Sequence, residues 1–190
     1  MRSISEIPPF IFDTDCISSF IWARRLDVLY SIFGDNIYIP RQVKEELDKL
    51  KAFSNYSWVP ETLSTEIANN KIKILDIMVG TDESNEFLKL TSTDNDPRPL
   101  GKGEAAAMSL ARFKEGTVLS NNLNDVKTYC HNNNIGLIST DDILCLAHFR
   151  ELILLDEGER IWLEMKNRKR KLPSYNFEES YRRFINDLEK

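Results

Sequence analysis

The chain has 190 residues, and its 42% hydrophobic and 29% charged residues are typical of a globular domain with a core of its own. The formal net charge of −5 excludes a protein that attracts nucleic acid over its whole surface, but it is compatible with a local basic patch. Because no apolar run reaches membrane-spanning length, no signal-like apolar segment stands at the N-terminus and the three cysteines are scattered, we expect a cytoplasmic protein without membrane contact.

Strands and helices alternate through the first half of the chain. The predicted elements are, in order, a strand at 10–13, a helix at 17–32, a strand at 37–40, a helix at 41–50, a loop at 53–58, a helix at 60–70, a β-like segment at 71–78 and a helix at 82–90. The stretch 91–103 is dense in turn-forming residues, and it predicts a loop.

The alternation continues in the second half. The predicted elements are a helix at 103–116, a strand at 117–120, a helix at 124–134, a strand at 135–139, a helix at 140–149 with Thr140 as its cap, and two helices around 156–170 and 177–189, separated by Pro173. Because the connections between strands are too long for hairpins, we expect a parallel sheet with right-handed crossovers. The strands near residues 10, 117 and 136 should be neighbours, with their carboxyl ends at one edge.

Acidic and polar side chains stand where these strands end. Asp13 ends the first strand and Asp15 follows it, and Ser120 ends the strand at 117–120 and is followed by Asn121 and Asn122. Thr140 and Asp141 follow the strand at 135–139, so we expect all of these residues along one rim. An Asp in this place either caps the next helix or belongs to a site at the carboxyl end of the sheet, and the residues alone leave both interpretations open.

Two glutamates on helices are candidates for the same edge. Glu46 lies beside Leu47 and three residues after Val43, so it should point partly inward, whereas Glu45 should face water. Glu104 lies in the first turn of an apolar helix, where the helix dipole alone also favours an acid.

One further acid lies close to these groups in the chain. Asp125 comes three residues after Asn122, on the same face of the predicted helix. Carboxylates that gather at one rim raise one another's pKa or bind cations, and their oxygen atoms suit Mg²⁺ or Mn²⁺. Two such ions hold a phosphodiester and activate water. The pattern therefore predicts metal-dependent phosphodiester chemistry.

The chain resembles the PIN-domain ribonucleases, close to the branch of bacterial toxin-like PIN proteins. The resemblance covers roughly residues 10–150 and is carried by the segments "FIFDTD", "LDVLYSIFGDNIYIPRQVKEEL", "GKGEAAAMSLA", "VLSNN" and "IGLIST". It implies that Asp13, Glu46 and Glu104 take the first three acidic positions of the PIN site. It also implies a three-layer α/β/α sandwich around the parallel sheet, cleavage of RNA with Mg²⁺ or Mn²⁺, and often an antitoxin partner or a homodimer.

The fourth acidic position of the family falls on Asn122 here, which brings an oxygen but no charge. In the resulting assignment Asp13, Glu104, Asn122 and Asp125 hold metal, and Glu46 positions water or the second ion. The alternative is a catalytically weakened PIN-like module that binds nucleic acid. We expect the PIN-like nuclease domain at 1–152 and a helical C-terminal extension, packed on or beside it, at 153–190.

A phosphatase of the haloacid-dehalogenase type is a second alternative. In that assignment Asp13 is the nucleophile, Asp15 the acid/base, Ser120 the phosphate ligand, and Asp141 and Asp142 the Mg²⁺ ligands. The glycine expected soon after the paired aspartates is absent, and the two candidate glutamates receive no role.

A basic run near the C-terminus has two interpretations. The run contains Arg168, Lys169, Arg170 and Lys171. It is either the solvated face of a terminal helix or an electrostatic grip on RNA phosphates near the acidic edge. The aromatic residues downstream, Tyr175, Phe177 and Tyr181, either stack on bases or anchor the last helix on the core.

Overall fold

The computed structural model describes residues 7–92 and 99–189, so the predicted loop at 91–103 lies partly outside the described residues. Five strands form: β1 (Phe10–Phe12), β2 (Ile37–Pro40), β3 (Lys73–Leu75), β4 (Thr117–Leu119) and β5 (Gly136–Ile138). The helices are α1 (Thr14–Trp22), α2 (Leu26–Phe33), α3 (Arg41–Asp48), α4 (Trp58–Ala68), α5 (Asp82–Thr91), α6 (Lys102–Phe113), α7 (Leu123–Asn132), α8 (Thr140–Phe149), α9 (Leu155–Asn167) and α10 (Phe177–Leu188). A short 3₁₀ turn, Lys49–Ala52, extends α3.

All five strands are parallel, in the order β3-β2-β1-β4-β5. The prediction that the first, fourth and fifth strands are neighbours is therefore confirmed. The chain leaves β1 in one direction to β2 and β3 and in the other to β4 and β5, so the strand order reverses between β1 and β4. In open parallel sheets, ligands bind outside the carboxyl ends of the strands at such a point.

Helices cover both faces of the sheet, which confirms the three-layer α/β/α sandwich. Phe10 and Phe12 of β1 point into a core shared with α1 to α4 and α8 to α10. Ile11 points to the opposite face, where a smaller core is completed by α6 and α7. Because β1 and β4 are buried on both faces, their side chains are mostly apolar on both sides of the strand.

The prediction of one helix over 17–32 is wrong, because the chain turns between α1 and α2. Arg24 has a left-handed backbone with φ of 55°, and its N–H donates to the carbonyl of Ile21. The next N–H, of Arg25, reaches back to Phe20. These bonds close α1 at its carboxyl end, as in other helices that end in a left-handed residue.

The two C-terminal helices pack into the larger core. Trp162 of α9 and Phe177 of α10 are fully buried. Gly158 makes this packing possible, because a Cβ at that position would overlap the ring of Phe177. The boundary at residue 152 stays a prediction. None of the described helices combines the length and the apolar character that a membrane crossing requires.

Candidate active site

Asp13 combines the two roles that the sequence left open, since it caps a helix and lies at the carboxyl edge of the sheet. Its Oδ1 accepts a hydrogen bond from the N–H of Cys16, at 2.7 Å, and so caps α1. Its own N–H donates to the carbonyl of Leu119 in β4, at 2.9 Å. The side chain is only 3% exposed, and the hydroxyl of Ser120 also hydrogen-bonds to it.

The ionised form of Asp13 is unfavourable in this place. Burial raises the pKa of the carboxyl from 3.8 to about 7 by removing its hydration. Hydrogen bonds from Ser120 and Cys16 lower the pKa, and the charges of Asp15 and Glu104 raise it again. Among the residues that the structure describes, no cation is near enough to compensate the burial of this carboxyl.

Glu46 of α3 joins the starts of α1 and α6 through hydrogen bonds. Its Oε1 accepts the N–H of Gly103 at the start of α6, at 2.9 Å, and its Oε2 accepts the hydroxyl of Thr14 at the start of α1. Thr14 and Gly103 directly adjoin two other candidate acids, Asp13 and Glu104. The carboxylate of Glu46 thus fixes the spacing between those acids.

Gly103 has no room for a side chain. A Cβ there would overlap the hydroxyl of Thr14 and would stand 2.7 Å from Oε2 of Glu46. Sequence reasoning missed Thr14 and Gly103 as parts of the site. The glycine directly before Glu104 was the available signal, because glycine inside a helix often marks a close approach.

Glu104 lies in the first turn of α6 and is half-buried. Its charge acts on Asp13, so the two carboxyls are near each other even though 91 positions separate them in the chain. Glu45, the neighbour of Glu46, is exposed as expected. The structure therefore places Asp13 near Glu104, and it joins Glu46 to the residue next to each of them.

The carboxyl end of β4 supplies amide and hydroxyl groups to the same edge. Ser120 is fully buried, and its Oγ accepts the N–H of Asn122, at 3.1 Å. Oδ1 of Asn121 accepts the N–H of Thr140, at 3.0 Å, while its buried Nδ2 has no hydrogen-bond partner among the residues that the structure describes. Asn122 is half-buried at the start of α7. Asp125 lies within α7, but its side chain is outside what the structure describes.

The donor chemistry at this edge fits a hard divalent cation. The carboxylates of Asp13 and Glu104 repel each other, and Asn122, two residues after the Ser120 that hydrogen-bonds to Asp13, offers a neutral oxygen. Each oxygen of Glu46 already accepts a hydrogen bond from the protein, so that residue suits a supporting role. Among the described side chains, which exclude Asp125, no three His, Cys, Asp or Glu residues come close enough together to hold a metal ion.

The acids of the phosphatase alternative serve other purposes. Asp142 accepts the N–H and the hydroxyl of Ser139, at 3.0 and 2.8 Å, in a reciprocal cap that starts α8. The expected cap at Thr140 is therefore wrong by one residue. Oδ1 of Asp141 accepts the hydroxyl of Ser180 from α10. Both side chains thus hold helices in place.

Helix α9 ends directly before the first cation of the basic run, Arg168. α9 ends at Asn167, so the predicted helix at 156–170 is too long, and residues 168–173 form a non-helical segment. Lys171 reaches Asp15, with Nζ and Oδ2 3.4 Å apart, and Arg170 donates to Ser18 of α1, at 3.2 Å. The run therefore lies against the helix that Asp13 caps.

The downstream aromatic residues fit the anchoring interpretation. Phe177 is fully buried, and Tyr175 stacks on Trp162 with ring centroids 6.4 Å apart. Tyr181 packs edge-on against His148, with centroids 4.5 Å apart. These contacts pack the three rings against the core that α8, α9 and α10 share.

An open cleft of about 530 Å³ lies between the carboxyl ends of β4 and β5 and the segment 171–173. Its lining includes Asn121, Asn122 and Asn124 on one side and Lys171 on the other. The cleft therefore borders the residues that follow Ser120, the hydrogen-bond partner of Asp13.

A comparison with known protein families agrees with this architecture. A family model described as a PIN domain matches residues 9–186, which includes both C-terminal helices. Searches among curated proteins and among solved structures gave no match. Since the family model spans nearly the whole chain, the protein belongs to the PIN-domain family.

Proposed function

We propose that the protein is an endoribonuclease that depends on Mg²⁺ or Mn²⁺. PIN domains are generally nucleases that act on nucleic acid and usually use divalent metals. The observation that carries the proposal is the convergence of Asp13, Glu46 and Glu104 at the reversal point of the sheet. The carboxyl of Asp13 is buried there, and its ionised form is unfavourable without a cation.

The residues divide into ligands and a positioning group. Asp13 and Glu104, together with Asn122 and Asp125, would hold the cation. When bound, the cation neutralises the acids and stabilises negative charge on a phosphate during hydrolysis. Glu46 holds the first turns of α1 and α6 at a fixed distance through Thr14 and Gly103. It thereby positions the ligands.

A cleavage assay tests the proposal. Wild-type protein should cleave single-stranded RNA with Mn²⁺ or Mg²⁺ and lose this activity in EDTA. Glu104→Gln should lower the rate at least about 100-fold, because it removes a charged ligand without changing shape. Glu45→Gln is the matched control, an exposed glutamate of α3 that should leave the rate unchanged.

A catalytically weakened module that binds nucleic acid is a second candidate, and Asn122 is the observation that favours it. Asn122 stands where the resemblance places a fourth acid, and an amide attracts a cation less than a carboxylate does. Wild-type protein that binds RNA but cleaves none, with either metal, would contradict the endoribonuclease proposal and support this candidate.

The toxin-like resemblance adds an antitoxin partner and a homodimer to the proposal. An antitoxin should relieve growth arrest when it is expressed together with this protein. Arrest caused equally by wild-type protein and the Glu104→Gln variant would contradict a toxin role that depends on cleavage. Light scattering of the purified chain tests dimerisation.

A further inference from the structure

The segment 168–171 runs along α1 in the opposite direction to the helix. Three of its cations contact three residues of α1 in reverse order: the guanidinium of Arg168 lies 5.7 Å from the ring centroid of Trp22, Arg170 donates to Ser18, and Lys171 pairs with Asp15. Trp22 ends α1 and Asp15 lies in its first turn, so the contacts span about 10 Å of helix. The cations form a track that ends at Asp15, two residues after Asp13.

The cations of this track remain available to a ligand. Lys171 and Asp15 have side chains that are 62% and 42% exposed, and an ion pair so open to water contributes about 0 to 1 kcal/mol. Arg168 pairs with Glu164, at 3.0 Å, in an equally open i,i+4 arrangement. A phosphate group can therefore replace either carboxylate at little cost.

RNA, as a polyanion, needs nearby cations in order to approach this acidic edge of the sheet. The chain carries a net charge of −5, and the proposed site gathers several of its carboxylates at one edge, so the site by itself repels phosphates. The track places positive charge beside that edge and leads into the cleft of about 530 Å³, of which Lys171 is one wall. This volume lies in the range that holds small ligands such as one nucleotide.

The cleft also offers groups that can contact a base. Asn121, Asn122 and Asn124 line it, and amides pair with the exposed edges of unstacked bases. Double-stranded RNA hides those base edges, so the lining favours a single strand.

We propose that residues 168–171 bind the phosphates of single-stranded RNA along α1 and guide the adjoining nucleotide into the cleft that Asn121, Asn122 and Lys171 line. The inference rests on the proposed ribonuclease function, for which it names the path of the substrate. In this arrangement Lys171 exchanges Asp15 for a phosphate, and Arg168, held by Trp22, binds a phosphate farther along the strand.

Binding without cleavage tests the track separately from the chemistry. We would use full-length Glu104→Gln protein and measure the anisotropy of a labelled single-stranded RNA of about 10 nucleotides at several salt concentrations. Lys171→Gln and Arg168→Gln should each weaken binding and reduce the slope of log K against log salt by about 0.7. Asp15→Asn should strengthen binding, because it removes the competitor of the phosphate. Arg182→Gln is the matched control, since its ion pairs join it only to α10.

Distinct results overturn this inference. Unchanged affinity and salt slope in both track variants, or no binding by the parent protein at low salt, would refute the track, whatever the cleavage assay shows. Equal losses in Arg182→Gln would show that only the overall charge matters. If double-stranded RNA binds more tightly than single-stranded RNA, the proposed ligand class is wrong. The same holds if an acidic peptide binds more tightly than single-stranded RNA and the track variants weaken its binding equally. Failure of cleavage alongside normal track results would refute only the ribonuclease proposal.

Discussion

Asp13→Asn should stabilise the metal-free protein, although it alters a residue at the centre of the candidate site. The increase of the pKa from 3.8 to about 7 corresponds to about 4 kcal/mol of unfolding free energy lost when the carboxyl is fully ionised. Asparagine caps a helix about as well as aspartate, so the hydrogen bond from Cys16 is retained. The substitution therefore removes the buried charge and keeps the local structure.

The sign of the effect follows from the direction of the pKa change. Below about pH 4 the carboxyl is protonated in both the folded and the unfolded chain, and no penalty exists. Between about pH 4 and 7 the unfolded chain releases the proton first, so the folded wild-type protein loses stability as the pH rises. Above about pH 7 the penalty is complete. The advantage of Asp13→Asn should thus be small at pH 4.5 and largest at pH 8.

Thermal unfolding in EDTA measures this difference. If the new amide recovers half of the penalty, the gain is about 2 kcal/mol, or about 4 to 8 °C in Tm for a chain of this length. Asp35→Asn is the control, because Asp35 is exposed in the turn before β2 and its charge contributes little. A Tm of Asp13→Asn at or below that of wild type at pH 8 would refute the account of Asp13 as an uncompensated buried charge.

Two further substitutions test the construction of the site. Gly103→Ala should cost about 1 to 3 kcal/mol in urea unfolding and abolish cleavage, because the new methyl displaces the glutamate that spaces the acids. Gly101→Ala, which meets no atom within 4 Å, should stay within about 0.5 kcal/mol of wild type, and equal effects at both glycines would contradict this reasoning. Asn122→Asp should tighten Mn²⁺ binding about tenfold in a calorimetric titration, and Asp125→Asn should weaken it. An unchanged Kd in both would show that the start of α7 does not hold the ion.

The parts of the fold that depend on hydrophobic pattern and loop length could be predicted from the sequence. The apolar runs at β1 and β4 and the long connections between strands led to the parallel sheet and its carboxyl edge. The break between α1 and α2 could not be predicted, because Arg24 carries no mark of the left-handed conformation that its backbone hydrogen bonds impose. The helix propensity of individual residues therefore does not predict where a helix ends when the rest of the fold determines its end.

The candidate site was predictable in a similar, partial way. The position of an acid after a strand or at a helix start can be inferred from chain order, which is why Asp13 and Glu104 were found. The contacts of Glu46 with Thr14 and Gly103 join residues that are distant in the chain, so they appear only in three dimensions. The path of the basic run along α1 likewise depends on where α9 ends and how it packs.

Helix N-termini explain how the fold tolerates this group of acids and why a cation is still needed. Asp13 stands at the start of α1, Glu46 accepts the N–H of Gly103 at the start of α6, and Asn122 stands at the start of α7. Each helix start carries about half a positive charge, which lowers the cost of placing carboxylates at this edge. The compensation is incomplete, because the pKa of Asp13 stays near 7 despite its cap. The helix dipoles thus lower the free-energy cost of bringing these acids together, and a divalent cation would neutralise the negative charge that remains.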